Sequence, residues 1–226
     1  PKPLDPRLLS TVAPAVAKAA IESGVAQTEI KDWDQYAIDL NKRLGLDNQI
    51  MRILGNKARR NPKRIVFAEA DNQKILKAAQ IIFDEGIGYP ILLGKESRIR
   101  SIAEENGIEI EGLPILDPLS DEQEATRRKY GDLLFDMRQR KGVNRYESYK
   151  ILRDRNYFGC MMVETGEADA MISGLTRNYA DAIRPALQII GTEEGVRKIA
   201  GMYLLLTKKG PLFMADTTIN FNPTAE

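Results

Sequence analysis

Residues 173–184 gather the side chains best suited to chemistry: the hydroxyls of Ser173 and Thr176, the amide of Asn178, and the guanidinium groups of Arg177 and Arg184. Their natural target is an anion. A guanidinium stays charged and offers a planar fork of donors that fits phosphate or carboxylate, and hydroxyls and amides add neutral donors. The sequence contains no histidine, which removes Ser-His-Asp and Cys-His catalysis and every imidazole metal site from this chain. Cys160 is the single cysteine, so an internal disulfide and a cysteine-based metal site are excluded. It lies in the apolar run Tyr157-Phe158-Gly159-Cys160-Met161-Met162-Val163, where a buried small hydrophobe is expected in preference to a nucleophile.

The elements around the arginines must present them. Ala170-Met171-Ile172 follows the turn-like Gly166-Glu167-Ala168-Asp169 and reads as a short buried strand, which Ser173-Gly174 then breaks. A turn at the carboxyl end of a parallel strand that feeds a helix exposes free backbone N–H groups and the positive end of the helix dipole. Arg177 and Arg184 are seven residues apart, which on a continuous helix leaves them about 20° off a common face. Pro185 allows two readings: the helix starts there with Arg184 at its mouth, or it starts near Tyr179 and is kinked. A plainer alternative is that Ser173 and Asn178 only cap the helix and the arginines pair with Asp181 or Glu167.

Periodicity gives the rest of the architecture. Trp33, Tyr36, Ala37, Leu40 and Leu44 recur at helical spacing over residues 32–44, and Asp47 is placed to cap a helix reaching residue 58. From there strands and helices alternate: strands at 65–68, 91–93, 113–116 and 170–172, helices at 73–85 and 97–105. Ser120 with Gln123 resembles a capping box opening a long helix to Arg140, and Asn144 with Glu147 opens another that runs to Thr165 with a break near Asn156. The last stretch, 202–215, reads as a hairpin. The expected fold class is α/β, a mostly parallel sheet covered by helices, with its ligand site beyond the strand carboxyl ends.

Ser173-Gly174 followed by Asp181-Ala-Ile-Arg184-Pro185-Ala-Leu-Gln-Ile189 resembles the phosphate acetyltransferase (phosphotransacetylase) family. Two further pieces are similar to it: Asp136-Met137-Arg138-Gln139-Arg140-Lys141-Gly142, and Arg64-Ile-Val-Phe-Ala-Glu-Ala-Asp71 with the helix behind it. The resemblance runs from about residue 59 onward and implies a three-layer fold with the start of a second subdomain. It also implies that Arg138 and Arg184 occupy phosphate-binding positions; a solvated helix cation is the plain alternative for Arg138. The binding candidates are therefore Arg138, Ser173, Gly174, Thr176, Arg177 and Arg184, and no catalytic residue is assigned. Where the family's enzymes carry small residues and a histidine after Ser-Gly, this chain has Leu175, Thr176 and Arg177, then Tyr179. Those departures point away from transferase chemistry.

The first thirty residues, with Lys2-Pro-Leu-Asp-Pro-Arg-Leu-Leu9 and an alanine-rich run after Val12, resemble the end of large bacterial NADP-dependent malic enzymes. In such proteins a phosphotransacetylase-like domain follows the oxidoreductase domain. The expected organisation is a malic-enzyme tail and linker helices at 1–31, a first subdomain at 32–198, and a truncated second subdomain at 199–226. This resemblance implies a regulatory and oligomerisation domain that senses acetyl-CoA, with acetyl-CoA or phosphate as ligand and a homo-oligomer, dimeric through this domain, as its assembly. It also implies a missing malic enzyme domain that uses NADP with Mg or Mn, and an active phosphate acetyltransferase is the alternative.

Composition limits the partners. With 33 basic and 32 acidic residues the net charge is +1, so no overall basic field exists to hold nucleic acid. The basic cluster Lys57-Ala-Arg59-Arg60-Asn-Pro-Lys63-Arg64 suits a solvated linker, or contact with a phosphate-bearing ligand or partner. No apolar run approaches the roughly 18–20 residues that span a bilayer, and no signal peptide is apparent. A cytoplasmic location is expected.

Overall fold

The computed structural model describes residues 6–43, 49–207, 210–216 and 218–220. Backbone proximity divides the chain into two units, residues 1–53 and 54–226. The helix cap expected from Asp47, and the closing residues 221–226, lie outside the described residues.

In the first unit, α1 (Pro6–Glu22) and α2 (Trp33–Arg43) are helices. Pro14 lies inside α1, where the alanine-rich run behind it propagates helix well enough to carry one missing N–H. Gly24, at φ 74°, ends the segment. Lys18 places its ammonium 5.1 Å from the centroid of the Trp33 ring, and Asp32 caps α2 by accepting the Gln35 N–H at 2.9 Å. Next along the chain is α3 (Gln49–Arg60).

The second unit is built on a four-stranded parallel sheet of β1 (Lys63–Phe67), β2 (Gly88–Leu93), β3 (Ile115–Leu116) and β4 (Ala170–Ile172), in the order β3-β2-β1-β4. Val66 stands opposite Ile91 on one side and Met171 on the other. Successive side chains of a strand point to opposite faces. On one face Phe67 and Leu92 meet α4 (Gln73–Asp84) and α5 (Glu96–Glu105) through Leu76, Ala79, Ile99 and Ala103.

On the other face Val66 and Leu93 meet α6 (Glu124–Arg138), α7 (Arg145–Ile151), α8 (Arg155–Glu164) and α9 (Tyr179–Ile189) through Tyr130, Leu134, Ile151, Phe158, Met161 and Ile189. The result is three layers, and removing a side chain such as Phe67, Leu76 or Phe158 from water stabilises by about 1.5–3 kcal/mol. The α8 layer lies close to the sheet because Gly159 has no side chain: a Cβ there would sit 2.6 Å from the Met171 sulfur.

Several expectations need adjustment. Ser120 makes no cap; its hydroxyl donates to the Asp117 carbonyl, and a 3-10 turn over Asp121–Gln123 precedes α6. The capping box at Asn144 and Glu147 is present with both of its hydrogen bonds. The helix break comes just before Asn156, where Asp154 accepts the Asn156 N–H at 2.8 Å and so begins α8. Strand β4 was expected to be buried, yet Ile172 is 43% exposed, because β4 lies at the sheet edge. The hairpin is present as β5 (Met202–Thr207) and β6 (Gly210–Ala215), antiparallel with Leu204 opposite Phe213.

Candidate functional site

The ladder between β1 and β4 decides what the Ser173-Gly174 turn can do. It continues past the strand ends, with the Ala68 N–H donating to the Ile172 carbonyl at 3.2 Å, and so sets Glu69 opposite Gly174. Glu69 is 5% exposed. Its Oε2 accepts the N–H groups of Gly174 and Leu175, each at 2.8 Å. Its Oε1 accepts the Thr176 N–H at 2.8 Å and the Thr176 hydroxyl. Gly174 adopts φ 108°, a conformation that suits glycine and turns successive N–H groups onto one acceptor. Burial pushes the Glu69 carboxyl upward, but the Thr176 hydroxyl and the three backbone donors outweigh it and hold the group below its ordinary range. The turn is an anion nest filled by the protein's own carboxylate.

Ser173 is committed as well, donating to Asn156 Oδ1 at 2.8 Å. Of the candidate residues, Gly174 and Thr176 are therefore bound to Glu69 and Ser173 to Asn156. The arginines stand apart from these pairings.

Helix α9 starts at Tyr179 with Asn178 as its cap, accepting the Asp181 N–H at 3.0 Å. Pro185 lies inside the helix and is buried, which selects the second of the two readings. Arg184 sits one turn on from Asp181 at 3.7 Å, with 59% of its side chain exposed. Arg177 pairs at 2.6 Å with Asp154, the residue that caps α8. Glu167 plays no part here: it accepts from Lys129 at 3.1 Å and from the Tyr130 hydroxyl at 2.6 Å. Arg177, Arg184, Asp154, Tyr157, Asp181 and Pro185 line a cleft of about 240 Å³.

Tyr157 lines the cleft, and Arg138, the last candidate, is not among the lining residues. Burial raises the Tyr157 phenol above the ordinary value, with Asp154 reinforcing and Arg184 and Arg138 opposing that shift. Its hydroxyl donates to Gln188 Oε1 at 2.6 Å. Arg138 ends α6, and its Nε is buried with no hydrogen-bond partner among the described residues. A buried donor without a partner is uncommon.

Sequence reasoning missed Glu69, Asp154, Tyr157 and Gln188. Only Glu69 had a readable signal: an acid just past a predicted strand, at the sheet's carboxyl edge. A neighbouring acid, Asp71, is held by a two-point pair with Arg155, at 2.7 and 3.1 Å. That pair holds the Asp71 carboxyl below its usual range against the opposing effect of burial. Cys160 is buried, and burial pushes its thiol up to about 12, so it is inert as a nucleophile.

Residues 49–226 match the phosphate acetyl/butaryl transferase family. This chain belongs to that family. It is 34% identical over its whole length to the NADP-dependent malic enzyme of Salmonella typhimurium, of which it spans 30%. It is 35% identical to the phosphate acetyltransferase of Thermoanaerobacterium thermosaccharolyticum over 78% of this chain and 54% of that one. A phosphotransacetylase from Streptococcus pyogenes shares the fold with a TM-score of 0.69 at 31% identity, covering 77% of this chain and 54% of that chain. Among the described residues no helix is long and apolar enough to cross a membrane.

Proposed function

We propose that this chain is the regulatory and assembly domain of a malic enzyme and that its Arg138, Arg177 and Arg184 receive the phosphate-bearing part of acetyl-CoA. The observation that supports this most is the division of labour in the site. The turn's backbone donors are consumed by Glu69, whereas Arg177 and Arg184 are held by side-chain carboxylates that an incoming anion can displace, and the buried Nε of Arg138 has no partner among the described residues. The cleft's lining holds two arginines and no thiol or imidazole, and its carboxylates, Asp154 and Asp181, are paired with those arginines. That composition suits binding better than acyl transfer.

In this reading the whole protein oxidatively decarboxylates malate to pyruvate with NADP and a divalent cation, outside this chain. No group of three or more His, Cys, Asp or Glu that could hold a metal occurs among the described residues. Acetyl-CoA would act by binding one of two assembly states more tightly than the other, since a remote ligand shifts an equilibrium only through differential affinity for its states. Homodimerisation through this domain supplies those states.

Calorimetry of acetyl-CoA against the intact protein, run beside malate-dependent NADP reduction, tests the proposal. Binding and inhibition should both weaken in Arg184→Ala. Inhibition preserved in that variant, with no acetyl-CoA binding to the wild type, would sink it. An active acetyltransferase is the second reading, supported by the identity to phosphate acetyltransferases; rapid formation of acetyl-CoA from acetyl phosphate and coenzyme A would favour it.

A further inference from the structure

A larger cavity, of about 570 Å³, opens on another face, between the 3-10 turn before α6, the first turns of α6, and α7. Its volume falls within the range of small-molecule sites. Arg127 lines it and is 9% exposed. One guanidinium nitrogen, Nη1, donates at 2.6 Å to the carbonyls of both Pro118 and Ser120, which fixes the group in place. The other nitrogens, Nη2 and Nε, have no hydrogen-bond partner among the described residues.

Lys150 and Arg153 add two exposed cations to the lining, neither paired among the described residues. Counter-charge comes from Glu124 and Asp121. Glu124 is taken by Arg128 at 2.6 Å, so Asp121 alone faces three cations. The helix dipole explains a cation at Lys150, in the last turn of α7. It also favours Arg153, just past the helix end, but does not explain Arg127, which comes from α6.

Two tyrosines complete the wall. The Tyr149 ring lies against α6 at Gly131, where an added Cβ would stand 2.1 Å from the ring, and its hydroxyl donates to Asp132 at 2.6 Å. Tyr146 is 74% exposed at the rim, a large flat surface facing water. Cations bind phosphate oxygens, and an exposed ring stacks on a planar group.

We infer that this cavity is a second anion site, separate from the Arg177 and Arg184 cleft, for a small molecule that carries a phosphate ester or diphosphate beside a planar group. Arg127 is its fixed donor, Lys150 and Arg153 supply mobile charge, and Tyr146 takes the planar part.

Calorimetric titration of the intact protein with ADP and with inorganic pyrophosphate tests this. Wild type should bind ADP more tightly than pyrophosphate. The double variant K150E/R153E should bind both about tenfold or more weakly with an unchanged melting curve, the expected loss when charge-assisted contacts become repulsive. Tyr146→Ala should erase the preference for ADP while leaving pyrophosphate unaffected, and Arg184→Ala should leave the site intact. Absence of ADP binding in the wild type, equal binding in K150E/R153E, or loss confined to Arg184→Ala would overturn the inference.

Discussion

Glu69 and Gly174 face each other across the carboxyl ends of β1 and β4, joined by a 2.8 Å hydrogen bond from the Gly174 N–H to Glu69 Oε2. The neighbouring N–H groups of Leu175 and Thr176 converge on the same carboxylate. Nests of this kind, at a helix start beyond a parallel strand, ordinarily cradle phosphate. Here a side chain supplies the anion. A free ligand must then be held by side chains, and the arginines around Tyr157 are the ones in place.

Replacing Glu69 with alanine should leave three backbone donors and one hydroxyl without an acceptor. A loss of about 2–3 kcal/mol in unfolding free energy is expected, since unpaired buried donors cost about 1–3 kcal/mol and water reaches part of this turn. Urea denaturation measures it. Formate, a carboxylate small enough to enter the vacated nest, should restore part of the loss in the variant and none in the wild type. A variant as stable as wild type would show that the turn does not depend on its internal anion.

Asp154 carries two duties that a single substitution can separate. It caps α8 through Oδ1 and pairs with Arg177 through Oδ2. Asparagine caps about as well as aspartate, so Asp154→Asn should keep the fold and release Arg177. Phosphate binding measured by calorimetry should tighten a few-fold in this variant. Weaker binding would mean that Asp154 orients Arg177 for the ligand instead of competing with it.

The layered fold was readable because each strand is a short apolar run closed by a glycine or an acid, and each helix has a periodic apolar face. β4 was placed to the residue, yet its burial was misjudged: edge or centre is a property of strand order, which no local pattern in 170–172 encodes. The arginines were legible as cations at a helix start. Asp181 was legible as the partner of Arg184, but Asp154 and Glu69 were not read as partners, because they lie 23 and 105 residues from the groups they bind. Ser120 failed as a cap for a related reason: its hydroxyl found the Asp117 carbonyl first, and hydroxyls bond nearby backbone in several competing ways.

The Arg64 and Asp169 pair should make the β1 and β4 edge sensitive to acid. Both carboxylate oxygens of Asp169 accept from Arg64, and its backbone N–H joins them at 2.8 Å. These contacts hold the Asp169 carboxyl at about 2, against an ordinary value of 3.8. A depressed carboxyl contributes stability that is fully present above its unfolded value and lost as pH falls through the folded one. The stability gap between wild type and Asp169→Asn should therefore be constant near neutrality and shrink as pH falls from about 4 to about 2. Denaturant unfolding at several pH values measures the gap, and a gap that does not narrow on acidification would contradict the pairing.

Gly131 and Tyr149 give a test in which propensity and packing oppose each other. Alanine is favoured over glycine in a helix interior by about 1 kcal/mol, so Gly131→Ala within α6 should stabilise if local preference decided. Its Cβ, however, would stand 2.1 Å from the Tyr149 ring, a ring tethered by its hydroxyl to Asp132. Overpacking of this kind typically costs about 1–3 kcal/mol, so the variant should be net destabilised. In a Tyr149→Ala background the clash is gone and the same substitution should become neutral or stabilising. That reversal of sign across the double-mutant cycle, read from thermal or urea unfolding, would establish that Tyr149 lies flat on α6 and forms the wall of the second cavity; destabilisation of equal size in both backgrounds would place the ring elsewhere.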